Sequence, residues 1–164
     1  MVDDSLVVLV EKLVGNAGKE REFDGQRPVK LRLGESRVDG PMQVSGRAVG
    51  TSGGVDTRFE ASSTVDLVCN RCLTTWSEPL TITGSHYFGV EPDEDGYAIV
   101  DGYIDVGGVA KDELALALPA RPLCSEECLG LCPTCGIDLN REPCGGHGDD
   151  SDSPFAALKD LFDS

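Results

Sequence analysis

Residues 124–144 read CSEECLGLCPTCGIDLNREPC, and this one stretch holds five of the seven cysteines in the chain. The other two, Cys69 and Cys72, stand far upstream as a C-x-x-C pair, CNRC. Cys132 and Cys135 form a second such pair, CPTCG. In that form Pro133 stiffens the turn, and Gly136 is free to take positive φ, so that nearby backbone N–H groups point at thiolate sulfur. Thiolates spaced this way grip one tetrahedral ion from adjacent corners, and two pairs complete a structural zinc shell. Sulfurs so distant in sequence are then expected to converge in space.

Seven cysteines and His147 make eight candidate ligands, enough for two zinc ions. One division puts Cys132, Cys135, Cys144 and His147 on one ion, a local C-x-x-C-x8-C-x-x-H set. Cys69 and Cys72 then recruit Cys124 and Cys128, which lie four apart and would share one face of a helical turn. The rival is a single ion held by Cys69, Cys72, Cys132 and Cys135. Simple buried or free thiols do not account for the clustering. His86 falls in an expected strand and reads as structural.

Charge is the second large fact: the 164 residues carry a formal net charge of -15. Residues 1–72 sum to -1 and residues 73–164 to -14. Two filled cysteine centres would deepen the total to about -18, since four thiolates around a divalent ion add about -2 and three add about -1. Such a chain repels phosphate backbones and attracts basic proteins with salt-sensitive association. Lys19, Arg21, Arg27, Lys30, Arg32 and Arg37 form the one stretch where a nucleic-acid contact could start, and a solvated mixed-charge face is the plainer reading. The apolar run at the start covers only Leu6 to Val10, neither a secretory signal nor a membrane span, so a cytoplasmic location is expected. In that compartment clustered cysteines favour metal or redox roles over disulfides.

Around the cysteines the chain alternates like an antiparallel sheet. Leu6 to Val10 reads as a buried strand, followed by a helical turn over Glu11 to Val14. Strands are expected within Lys19–Arg37, around Met42, Val44, Gly46 and Ala48, and from Val55 to Val68. Thr51 to Gly54 has hairpin-turn chemistry. Thr74 to Tyr87 reads as the return strand, interrupted near Pro79, so that CNRC caps a hairpin. Residues 91–113 hold eight acids and one lysine, read as an acidic loop with short strands at Tyr97–Val100 and Tyr103–Val106. Val109 to Leu118 fits a helix packed on the sheet and stopped by Pro119 and Pro122. The expected class is α+β: an antiparallel meander or partial barrel with a packed helix over 1–123, a cysteine-rich zinc-binding segment over 124–148, and an acidic linker with a short C-terminal helix over 149–164.

Catalysis finds little support in these residues. A catalytic zinc keeps an open position and a general base nearby, yet the chain has two histidines and no H-E-x-x-H. No P-loop, G-x-G-x-x-G or G-x-S-x-G is present. A thiol redox switch is the best enzymatic alternative, although CNRC closes a hairpin rather than opening a helix that would depress a thiol pKa.

Taken as a set, CNRCL at 69–73, ALPARPLC at 117–124, GLCPTCGIDLN at 130–140 and FAALKDL at 155–161 resemble the YceD-like family of large ribosomal RNA subunit accumulation proteins. The resemblance implies a non-enzymatic ribosome-assembly role supporting large-subunit rRNA. It aligns Cys69 and Cys72 with the family's C-x-R-C pair, with Arg71 inside it, and Cys124, Cys128, Cys132, Cys135 and Cys144 with its downstream cysteines. Joined to the charge, it suggests a basic ribosomal protein or the pre-ribosomal large subunit as partner. Direct RNA contact would be weak, and neither a membrane nor a small-molecule substrate is expected. The alternatives are a zinc-dependent nucleic-acid-binding module using Arg71 and the bases of 19–37, and the redox switch.

Overall fold

The computed structural model describes residues 6–92 and 96–147. Its main feature is a curled five-stranded sheet, a half-barrel. β1 is Val7–Leu9, β2 Glu20–Leu33, β3 Ser36–Gly50, β4 Gly54–Val68, β5 Thr75–Gly89, β6 Tyr97–Ala98 and β7 Tyr103–Asp105. The large sheet runs β2-β3-β4-β5-β6, antiparallel except for the short parallel pairing of β5 with β6, while β1 and β7 pair separately. Consecutive long hairpins arise because each strand alternates apolar and polar residues, and that period of two assigns every side chain to one face.

The inner face carries Phe23 and Val29 of β2, Val38, Met42 and Val44 of β3, Val55, Phe59, Val65 and Leu67 of β4, and Phe88 of β5, all buried. A helix, α1 (Val106–Leu116), lies against that face with Val106, Val109, Ala110 and Leu114 buried. The residues of β1 and its flanks, Leu6, Val8, Val10 and Leu13, complete the same core. Two glycines let the sheet curl around this content. Phe23, Gly46, Phe59 and Gly84 are register neighbours across four strands. A Cβ at Gly84 would fall within the Phe59 ring, and one at Gly46 would meet both the Phe23 ring and the β4 backbone. The aromatic rings thus lie over bare backbone, and the strands can bend where a side chain would hold them flat.

The helix is fixed at its start and along its length. Asp105 caps it through Oδ1, which accepts from the Gly108 N–H at 2.9 Å, and pairs with Arg27 of β2 at 2.8 Å. In mid-helix, Glu113 Oε1 lies 2.9 Å from His86 Nε2 on β5, and the imidazole stacks on Phe59 and meets Tyr97 edge-on. This arrangement agrees with the structural reading of His86.

Three local expectations are corrected. β5 runs unbroken through Pro79, which pairs with Thr64. Over this part β5 is an edge strand whose far side has no partner strand, so a missing N–H there breaks no ladder bond. α1 also begins three residues earlier than its apolar pattern indicated, because Asp105 supplies the cap, and it ends at Leu116 with Ala117 as its C-cap. The expected strand over Tyr97–Val100 is shorter, and the turn after it is Asp101-Gly102, both residues at positive φ. The acidic linker and short helix expected at 149–164 lie outside the described residues, as do residues 93–95.

Candidate metal centres

CNRC sits at the closed end of the β4–β5 hairpin, as the sequence suggests. The Cys69 N–H donates to the Thr74 carbonyl at 2.8 Å, and the Leu73 N–H donates to the Cys69 carbonyl at 3.0 Å. After α1 the chain returns to this turn, where the Asn70 N–H donates to the Pro122 carbonyl at 2.9 Å. That docking delivers Cys124 and Cys128. Cys69 Sγ lies 3.8 Å from Cys128 Sγ, and Cys72 Sγ lies 3.5 Å from Cys124 Sγ. The four sulfurs all fall within 4.8 Å of one another.

The second group is local. Cys132 Sγ is 3.6 Å from Cys144 Sγ, and Cys135 Sγ is 3.8 Å from it. His147 Nε2 lies 3.3 Å from Cys132 Sγ and 2.9 Å from Cys144 Sγ. A small hairpin carries the knuckle: the Cys132 N–H donates to the Ile137 carbonyl and the Gly136 N–H to the Cys132 carbonyl. The structure therefore gathers all eight candidate residues into the two sets Cys69, Cys72, Cys124, Cys128 and Cys132, Cys135, Cys144, His147. It does not bring Cys69 and Cys72 together with Cys132 and Cys135.

The sulfur spacings fit a tetrahedral cation in each set. Sulfurs ~2.3 Å from a common ion stand ~3.8 Å apart along a tetrahedral edge, close to the spacings observed. A disulfide needs ~2.05 Å, and all seven cysteines are free thiols. Proton sharing points the same way. Burial alone would raise Cys69, but the N–H groups of Cys124, Cys72 and Arg71 bring it down to about 6. Cys72 is lowered as well, first by the Thr74 hydroxyl. Cys124 is pushed up to about 12 because it hydrogen-bonds to Cys72 and then Cys128. In the other set the N–H groups of Cys135 and Thr134 lower Cys132 to about 6. Four crowded sulfurs cannot all be anionic alone, and a bound cation removes that conflict.

Three residues support the first group in a role that the sequence did not signal. Arg71, flagged as a possible nucleic-acid contact, instead donates from Nη1 to the carbonyls of Glu126 and Cys128 at 3.1 and 2.9 Å. Asn140 donates from Nδ2 to Cys128 Sγ at 3.4 Å and accepts the Leu129 N–H at 2.8 Å, tying the second hairpin to the first group. Trp76, the single tryptophan of the chain, packs against both the barrel core and the Cys69–Cys72–Cys128 cluster. The bases of 19–37 are largely committed too: Arg21 donates to the Leu9 carbonyl, Arg27 pairs with Asp105, Lys30 with Asp39 and Arg32 with Glu35.

A half-barrel whose hairpin tip and C-terminal segment share a cysteine tetrad defines a β-rich class with two candidate metal centres. The chain belongs to the family described as large ribosomal RNA subunit accumulation protein YceD, whose model matches residues 57–162 and so takes in every cysteine. It is 35% identical over 103 residues to the uncharacterized protein ML1660 of Mycobacterium leprae, covering 57% of this chain and 46% of that one. The chain thus spans about half the length of that relative. It is 29% identical over 162 residues to the uncharacterized proteins Mb2951c of Mycobacterium bovis and Rv2926c of Mycobacterium tuberculosis, covering 84% of this chain and 77% of each. No solved structure matches the chain. Among the described residues no helix is long and apolar enough to cross a membrane.

Proposed function

We propose that the protein is a cytoplasmic, non-catalytic ribosome-assembly factor that supports accumulation of large-subunit rRNA through a basic ribosomal protein or the pre-ribosomal large subunit. In this reading it holds two structural zinc ions. Cys69, Cys72, Cys124 and Cys128 ligate the first, and Cys132, Cys135, Cys144 and His147 the second. The observation that carries it is the convergence of all eight donors into two sets of four inside the segment matched by the family. Thiolate-rich sets of this kind favour zinc, and a closed set of four protein ligands leaves no position for substrate. The division into 1–123, 124–148 and 149–164 is kept in this reading, with Cys124 and Cys128 reaching back across the first boundary to close the first centre on the hairpin tip.

The chain's acidity supports a protein partner over bare rRNA, since the net charge of -15 repels phosphate. The test is genetic and analytical together. Depleting the protein should lower large-subunit rRNA relative to small-subunit rRNA, and wild-type protein but not Cys69→Ser should restore the ratio. Elemental analysis should find about two zinc ions per chain, one for each closed four-ligand set. An unchanged rRNA ratio on depletion would refute the assembly role, and a metal-free folded protein would refute the zinc reading.

A further inference from the structure

The two long outer strands of the sheet, β2 and β5, are finished differently. β2 carries seven charged residues among its fourteen, which is how sheets ordinarily keep an edge from pairing with another chain. β5 carries one carboxylate, Glu78, among its fifteen residues, so that guard is missing. From Leu80 to Ser85 it reads LTITGS, exposed or half-buried throughout, with three β-branched residues in a row and no charge. Such a segment on an open edge invites the addition of another strand.

The ladder to β4 fixes which backbone groups are open. The Cys69 N–H donates to the Thr74 carbonyl at one end and the Val90 N–H to the Gly53 carbonyl at the other, and the register between them holds without a bulge. Antiparallel bonding alternates, so the even-numbered residues of β5 turn their N–H and C=O to β4 and the odd-numbered ones turn theirs away. Thr81, Thr83 and Ser85 therefore present backbone donors and acceptors to the open side, and among the described residues no strand pairs with them. Pro79 lies in the same row and lacks its donor, so the uninterrupted stretch begins at Thr81. On the inner face Leu80 and Ile82 pack on the core yet stay only half-buried. The charges behind this row do not select a basic occupant: across the ladder Thr83 faces Glu60 and Ser85 faces Arg58, which offset each other.

The strand is instead complementary to itself. Laid antiparallel on a second copy about Ile82, Thr81 meets Thr83 of that copy, and Ile82 meets its own counterpart. Glu78, the one carboxylate of the strand, then comes opposite His86, its one imidazole. Opposed threonines and opposed β-branched apolar residues are favourable cross-strand pairs, and no like charges face each other. A chain of net charge -15 repels its own copies, and of the two strands β5 is the one where that repulsion is least. We propose that two copies of the chain pair β5 to β5 across a two-fold axis at Ile82, joining their sheets into one. The pairing is closed: it consumes both β5 edges and leaves the charged β2 strands outermost, so it yields a dimer and not a fibre.

The test measures the mass of the full-length protein by light scattering across a dilution series. The mass should be that of two chains in concentrated protein and fall toward one on dilution. Added salt should tighten the dimer, because it screens the repulsion between two acidic chains. Thr81→Pro removes an N–H that faces the second copy and breaks no bond to β4, as Pro79 does already. It should melt within a few degrees of wild type and run as one chain at every concentration, whereas Thr81→Val keeps the backbone donor and should remain a dimer. Should Thr81→Pro fail to fold, hydrogen exchange of the wild type decides: the Thr81 and Thr83 amides should be slowed in concentrated protein and exchange freely on dilution. Wild-type protein that is one chain throughout overturns the proposal, as does a folded Thr81→Pro dimer. Association that weakens with salt places the contact on charged surfaces elsewhere, and edge amides slowed equally at every dilution place another segment of the same chain on the edge; either result overturns it.

Discussion

The two cysteine centres share a turn but not a setting, and the contrast shows what each can do for the fold. The first joins Cys69 and Cys72 at a hairpin tip to Cys124 and Cys128 beyond the helix, and three of its four ligands are buried. It closes a loop of more than fifty residues and packs under Trp76. The second closes only the stretch from Cys132 to His147, with Cys135 and His147 exposed. A cross-link that closes a long loop removes more unfolded-chain entropy than one closing a short loop, and a buried centre also shares the barrel's core. The first centre is therefore part of the domain, and the second is an annex to it.

The largest effect should come from breaking the first centre. Cys69→Ser or Cys128→Ser is expected to remove about one zinc and to cost more than about 3 kcal/mol, because structural zinc binding is itself folding free energy. Trp76 fluorescence and thermal melting would report the loss together. If Cys69→Ser melted like wild type, the contrast between the centres would fail. Leu114→Ala provides the core reference: it should cost about 2–5 kcal/mol by leaving a cavity under the sheet, with metal content unchanged. Cys135→Ser should also release one ion, yet leave the main melting transition within a few degrees of wild type.

Acid should separate the centres further. Cys69 and Cys132 are both lowered from the ordinary thiol value of 9.0 to about 6. A group depressed in the folded state stabilises it above the unfolded value, and that contribution disappears as pH falls through about 6. Protons then compete directly with the ion. Titration from pH 8 to 5 with a zinc-sensitive dye should show two releases, the exposed second centre first; simultaneous release would make them one cooperative unit. The smallest effect belongs to Gly136→Ala, which places a Cβ at positive φ and should cost about 1 kcal/mol, measured by chemical denaturation of the zinc-loaded protein.

How much of this was readable before the structure depends on the range of the interaction. The strand pattern of β3 and β4, the Thr51–Gly54 turn and the hairpin carrying CNRC follow from period-two alternation and turn chemistry, which are local. The set of Cys132, Cys135, Cys144 and His147 was equally legible, because its spacing is contained in sixteen residues. Pro79 misled because whether a proline breaks a strand depends on which side of the sheet lacks a neighbour. Arg71 misled because nothing in CNRC says that its guanidinium turns inward to carbonyls more than fifty residues away.

By itself the amino-acid order determined the strand alternation, the acidity and the eight sulfur and imidazole donors, since these are properties of single residues and their near spacing. Only the tertiary structure decided how those donors divide, because Cys69 and Cys72 could have closed with either downstream set until the docking of 122–128 on the hairpin tip chose one. It alone also shows Leu73 in the left-handed turn expected of Gly136, since the hydrogen bonds around the CNRC turn hold a leucine in a conformation that glycine adopts freely.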